Sequence, residues 1–134
     1  MSYSIWLRRF DRGNTVPMDQ ATFQTVTSPH VARQEPEHNF LLLRMPDGGE
    51  ADVYANTDPD GSLGSVMLTH FCRGLVLGVV AELANALEAA VLLQEGIALV
   101  SSADQRANLV PELQQDAVII ELSGEAIQAV IDQL

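Results

Sequence analysis

The chain predicts an α+β fold, a mostly antiparallel or mixed sheet with helices packed mainly on one face. Three observations carry that reading. Short β-patterned runs come in pairs around tight-turn sequences, Pro46-Asp47-Gly48-Gly49 and Glu95-Gly96. From Gly74 the period changes: Leu75, Val76, Val79, Val80, Leu83 and Leu87 follow the spacing of a wide apolar helix stripe. The helices are too few, and the strands too hairpin-like, for a doubly wound parallel sheet.

The elements follow in order. Ser2 to Phe10 sets Tyr3, Ile5 and Leu7 against Ser4, Trp6 and Arg8, a strand closed by the turn Asp11-Arg12-Gly13-Asn14. Thr15 is placed to cap a helix with Pro17 in its first turn and Phe23 and Val26 on one face, and Pro29 ends it. His30 to His38 reads as a polar loop. Phe40–Met45 and Glu50–Ala55 are strands, and Ser65–Cys72 is a third, with Val66, Leu68, His70 and Cys72 on one side. The Gly74 helix follows, then a hairpin of Val91–Leu93 and Ile97–Val100. Ser102 caps a short helix limited by Pro111, Ala117–Leu122 is a last strand, and Ser123 caps a final helix. The predicted order is β-α-β-β-β-α-β-β-α-β-α. One domain spans all 134 residues.

The central hairpin allows a register to be predicted. A three-residue loop Asp47-Gly48-Gly49 sets Arg44 opposite Asp52 and Leu43 opposite Val53. Leu41, Leu43, Met45, Ala51, Val53 and Ala55 then share one face, and Phe40, Leu42, Arg44, Asp52 and Tyr54 the other. A slip of one residue mixes the two sets.

Charge narrows the functional classes. Eighteen acids face seven bases, all arginine, for a net charge of −11. Nucleic-acid backbones and anionic membranes repel such a chain, whereas a basic partner is steered toward it. The single cysteine excludes an internal disulfide, and the N-terminus lacks the order of a signal peptide. A cytoplasmic protein is the expectation.

Few motifs carry chemistry. Asn56-Thr-Asp-Pro-Asp-Gly-Ser-Leu63 matches the first part of an EF-hand loop, but its twelfth position is Met67 and strands flank it. Asp-Pro-Asp-Gly is independently a turn sequence, and the turn reading is preferred. His70 and Cys72 form an H-x-C pair on one strand face, which a thiolate nucleophile would use if an orienting acid joined it. A zinc site would need two further ligands, and His30 and His38 stand in a loop with no set spacing. Phosphate-binding glycine loops and a nucleophile elbow are missing. No metal, cofactor or catalytic residue is assigned.

What remains is a distribution of residues. Glu35, Glu37, Asp47, Glu50, Asp52, Asp58 and Asp60 lie in or beside the central strands, with Phe40, Leu42 and Tyr54 on the face that carries Asp52. If helices cover the opposite face, these ten residues form apolar anchors ringed by carboxylates, a surface suited to gripping a basic protein. The opening MSYSIWL, the PDGGEADVY hairpin and the size resemble the small acidic immunity-type proteins that bacteria encode beside their toxins. That resemblance implies stoichiometric neutralisation of a basic cognate toxin, without catalysis. The alternatives are a homodimer paired through the Phe40/Leu42/Tyr54 face and a small enzyme using His70 and Cys72.

Overall fold

A computed structural model describes residues 3–71 and 74–134. It contains a nine-stranded sheet. β1 (Ile5–Asp11) runs through its middle, between β6 (Leu63–Thr69) and β7 (Ala90–Leu93). Beyond β6 lie β5 (Glu50–Thr57), β4 (Phe40–Arg44) and the edge strand β3 (Val31–Glu35). Beyond β7 lie β8 (Ala98–Val100) and β9 (Val118–Ile119), and the short β2 (Asn14–Val16) pairs with the end of β1. Every pairing is antiparallel except β8 with β9. The sheet is thus mixed and mostly antiparallel, the predicted α+β class.

Two crossovers account for the exceptions to a plain meander. α2 (Leu75–Leu87) carries the chain over β1 from β6 to β7, which run parallel because each is antiparallel to β1. The short helices α3 (Ala103–Ala107) and α4 (Pro111–Gln114) join β8 to β9. α1 (Gln20–Thr27) and α5 (Gly124–Asp132) pack on either flank of α2. These three helices cover one sheet face and close the main core over Ile5, Leu7, Leu43, Val53, Leu68 and Leu99. α2 buries eight side chains, including Val76, Val80 and Leu83, as its wide stripe requires.

A smaller cluster lies on the opposite face. Ala90, Ala98 and Val100 pack there against Leu109, with Leu92 and Leu113 at its margin. Among the described residues only the β7–β8 end of that face is roofed, by the α3–α4 segment. Among the described residues no helix is long and apolar enough to cross a membrane.

Three hairpin loops share one geometry. In the first, Gly48 N donates to Met45 O at 2.9 Å and Met45 N to Gly49 O at 2.8 Å. Asp58 to Ser62 repeats both bonds at 2.9 and 2.8 Å, and so does Leu93 to Ile97. Each third loop residue is a glycine with positive φ: 87° at Gly48, 87° at Gly61 and 88° at Gly96. The acidic stretch of Asn56–Leu63 therefore joins β5 to β6 by a hairpin turn, as its turn chemistry predicts.

The structure corrects the sequence reading at several points. The central hairpin loop is Pro46-Asp47-Gly48, one residue earlier than expected, so Leu43 faces Ala51, Leu42 faces Asp52 and Arg44 faces Glu50. Proline belongs at the second turn position, and Asp47 Oδ1 accepts from Gly49 N at 2.9 Å, which returns Gly49 to the strand. The partner shift is two residues, so both faces keep the expected side chains. α1 is capped by Asp19 rather than Thr15: Asp19 Oδ2 accepts from Thr22 N at 3.2 Å, while Thr15 pairs with Phe10 in the β1–β2 ladder. The expected loop His30–His38 contains β3, an edge strand whose Ala32, Arg33 and Gln34 are all exposed. β6 stops at Thr69, and His70 turns away with φ +52°, which breaks the alternation assumed through Cys72. Cys72 itself lies outside the described residues. Pro111 opens α4 instead of only limiting a helix, and of Ala117–Leu122 only Val118–Ile119 joins the sheet.

Candidate functional site

The uncovered part of the second face is where the anchors fall. Because β-strand side chains alternate, the residues facing away from α1, α2 and α5 can be read along the registers. One row crosses six strands: Phe40 faces Tyr54, Tyr54 faces Met67, Met67 faces Trp6, Trp6 faces Leu92 and Leu92 faces Ala98. Tyr54, Met67 and Trp6 are half-buried, without a covering layer among the described residues, while Phe40 is buried and Leu92 packs at the margin of the small cluster. Phe40 and Tyr54 stack with ring centroids 5.3 Å apart, and the Arg33 guanidinium sits 5.5 Å above Phe40.

Polar rows flank this apolar one. On one side Arg33, Leu42, Asp52 and Thr69 are successive partners, and Thr69 Oγ1 accepts from Ser4 Oγ at 3.0 Å. On the other side Asn56 Nδ2 donates to Ser65 Oγ at 3.2 Å, and Arg8 pairs with Ala90. An apolar strip inside a polar border is the composition of a protein contact surface.

The acids of the predicted patch are not equivalent. Glu35 lies 3.3 Å from Arg33, Glu50 lies 2.7 Å from Arg44, and Asp52 Oδ2 lies 2.8 Å from His70 Nδ1. Glu35, Glu50, Asp52, Phe40, Leu42 and Tyr54 are thus together on the face, with each carboxylate already matched to a cationic or titratable neighbour. Glu37 stands on the turn beside it.

Asp47 belongs to the helix layer. Its Oδ2 accepts from Leu75 N at 3.2 Å, closing the first turn of α2. The backbone N–H groups of Gly49 and Leu75 hold its carboxyl below the usual range. Asp60 is a turn residue: Oδ1 accepts from Ser62 N at 2.9 Å and from Ser62 Oγ at 2.6 Å, which lowers its pKa too. Asp58 lies over Gly64 in the same turn, where an added Cβ would sit 3.0 Å from its Oδ1. The ten expected residues therefore divide into a face, a helix cap and a distal turn.

Sequence reasoning missed the middle of the row, Trp6, Met67 and Leu92. The alternation of each strand placed these side chains opposite the core-facing ones. What the pattern lacked was the neighbour of each strand, because β1 slots between β6 and β7 through two long-range pairings. The Glu35, Glu37 and His38 grouping was missed as well. Their ligand atoms lie within 4.8 Å of one another, although Glu35 is engaged by Arg33 and the other two are exposed.

Surplus charge collects elsewhere. Residues 74–134 hold Glu82, Glu88, Glu95, Asp104, Glu112, Asp116, Glu121, Glu125 and Asp132 against Arg106 alone. Arg106 spends its guanidinium on backbone carbonyls, donating Nε to Gln114 O at 2.8 Å. Comparison with family models, with curated proteins and with solved structures returns no match.

Proposed function

We propose that the chain is a non-catalytic binding protein of the immunity type, which neutralises a basic toxin-like protein by covering it with the open sheet face. One observation carries this reading: the open middle of the row, Tyr54, Met67 and Trp6, set between buried Phe40 and Leu92 at the edge of the small cluster and bordered by polar residues. Aromatic and aliphatic groups at the centre of such a face supply affinity on desolvation, while the border fixes register. The acid surplus of residues 74–134 supplies long-range attraction for a positively charged partner.

The test is calorimetric titration with the product of a neighbouring gene where that product is basic, using wild type, Tyr54→Ala and Asp52→Lys. Tight one-to-one binding that weakens about tenfold or more in each variant supports the proposal. An affinity that neither substitution changes would contradict it.

The Asp52–His70 pair favours a second reading, thiol chemistry at Cys72. An acid on Nδ1 is the orienting partner that a Cys–His arrangement requires, and it leaves Nε2 for a thiol. Iodoacetamide separates the two readings. Rapid alkylation at neutral pH, slowed in Asp52→Asn and His70→Ala, belongs to the enzyme, and an unreactive Cys72 removes it.

A further inference from the structure

The helix layer stops short of the sheet edge and leaves a cleft. α1 ends at Thr27, and between it and β3–β4 lies a cavity of about 520 Å³. Its volume falls in the range of small-molecule sites, about 300–1,000 Å³. Its floor is apolar, with Phe23 and Leu41 facing it from the helix and the sheet.

The walls are unusual in a chain of net charge −11: no charged residue lines the cleft. Four side-chain carboxamides do, from Gln20, Gln24, Gln34 and Asn39. Gln20 and Gln24 stand one turn apart on α1, so they share a face. Gln34 comes from β3, and Asn39 from the left-handed residue (φ +54°) before β4. Among the described residues none of these four amides makes a side-chain hydrogen bond. Each therefore keeps two donors and an acceptor for a visitor.

We propose that this cleft binds an uncharged saccharide. Clustered carboxamides match the adjacent donors and acceptors of neighbouring hydroxyl groups. The apolar floor takes the C–H side of a sugar ring, and the absence of a fixed charge leaves no partner for an ionised ligand. A peptide added as a strand fits less well. It would run the length of β3 and meet the bulge at Ala32 and the Arg33–Glu35 pair, while only Val31 and Gln34 of that strand reach the cleft. The proposal rests on the four carboxamides and does not use the open sheet face; Phe40 alone borders both.

The probe is a matched series followed by NMR of the side-chain amide groups: maltose, chitobiose, glucosamine, glucuronate and the dipeptide Ala-Asn blocked at both ends so that it carries no charge. Saturable shifts confined to Gln20, Gln24, Gln34 and Asn39 with maltose or chitobiose are expected, with none from glucuronate. Gln24→Leu, on an exposed helix position, should weaken that binding about fivefold to tenfold without moving the melting temperature. Three results overturn the proposal: no carboxamide shift with either neutral disaccharide, shifts with Ala-Asn alone, or stronger binding of cationic glucosamine than of the neutral sugars.

Discussion

Gly124 and Gly78 face each other where α5 crosses α2, and they answer differently to the same methyl group. A Cβ on Gly124 would lie 2.7 Å from Gly78 N and 3.0 Å from Gly78 Cα, both backbone atoms that cannot give way. A Cβ on Gly78 meets nothing within 4 Å. Helix propensity favours alanine at both sites. Gly78→Ala should therefore gain about 0.5–1 kcal/mol, whereas Gly124→Ala should lose about 1–3 kcal/mol by forcing the helices apart. Urea unfolding of the two variants reads both signs at once. At the same scale Asp47 links a turn to a helix. Its folded-state pKa is depressed, so its contribution is present above the ordinary value of 3.8 and is lost as pH falls through the lower folded value. Asp47→Ala should melt below wild type at neutral pH, and the two melting curves should converge under strongly acid conditions.

The elements show where local chemistry was enough to read the structure and where it was not. Ser102 and Ser123 accept from Gln105 N and Ala126 N as N-caps, and the stripe of α2 is buried as its spacing required. Turn chemistry located the hairpins, and the period-two pattern sorted their faces correctly even where the register was two residues off. β3 was illegible for a physical reason: an edge strand exposed along its middle shows no alternation, and its only signal is its partner β4. β9 was overlong in the sequence reading because an apolar run does not state how much of itself will pair. The candidate site divides the same way. Phe40, Leu42, Tyr54 and Asp52 were legible within one hairpin, while Trp6 and Met67 depended on a strand order that only long-range pairing sets. The repeated loop geometry gives a prediction of its own. Gly61 holds φ +87° in open space, so Gly61→Ala carries backbone strain alone and should cost about 1–2 kcal/mol by chemical denaturation.

At the scale of the whole molecule, two layers of meaning separate along the sheet. One face is sealed by α1, α2 and α5, and supplies the core. The other, among the described residues, is sealed only at the β7–β8 end and presents an apolar row whose acids are locally matched, while the larger share of the net negative charge lies in residues 74–134. Contact and attraction are thus carried by different regions. Raising salt from about 0.05 to 0.5 M should slow association with a basic partner far more than it speeds dissociation. Stopped-flow kinetics at several salt concentrations measures the two rates separately.

The chain has one tryptophan, and it stands in the middle of the proposed contact row. Trp6 fluorescence during titration with a candidate basic partner protein therefore reports on the face directly. A blue shift and loss of acrylamide quenching that saturate at one partner per chain are expected, with the free protein's quenching independent of its own concentration. Binding that leaves Trp6 emission and quenching unchanged would contradict the proposal, and protection that rises with protein concentration alone would assign the face to a second copy instead.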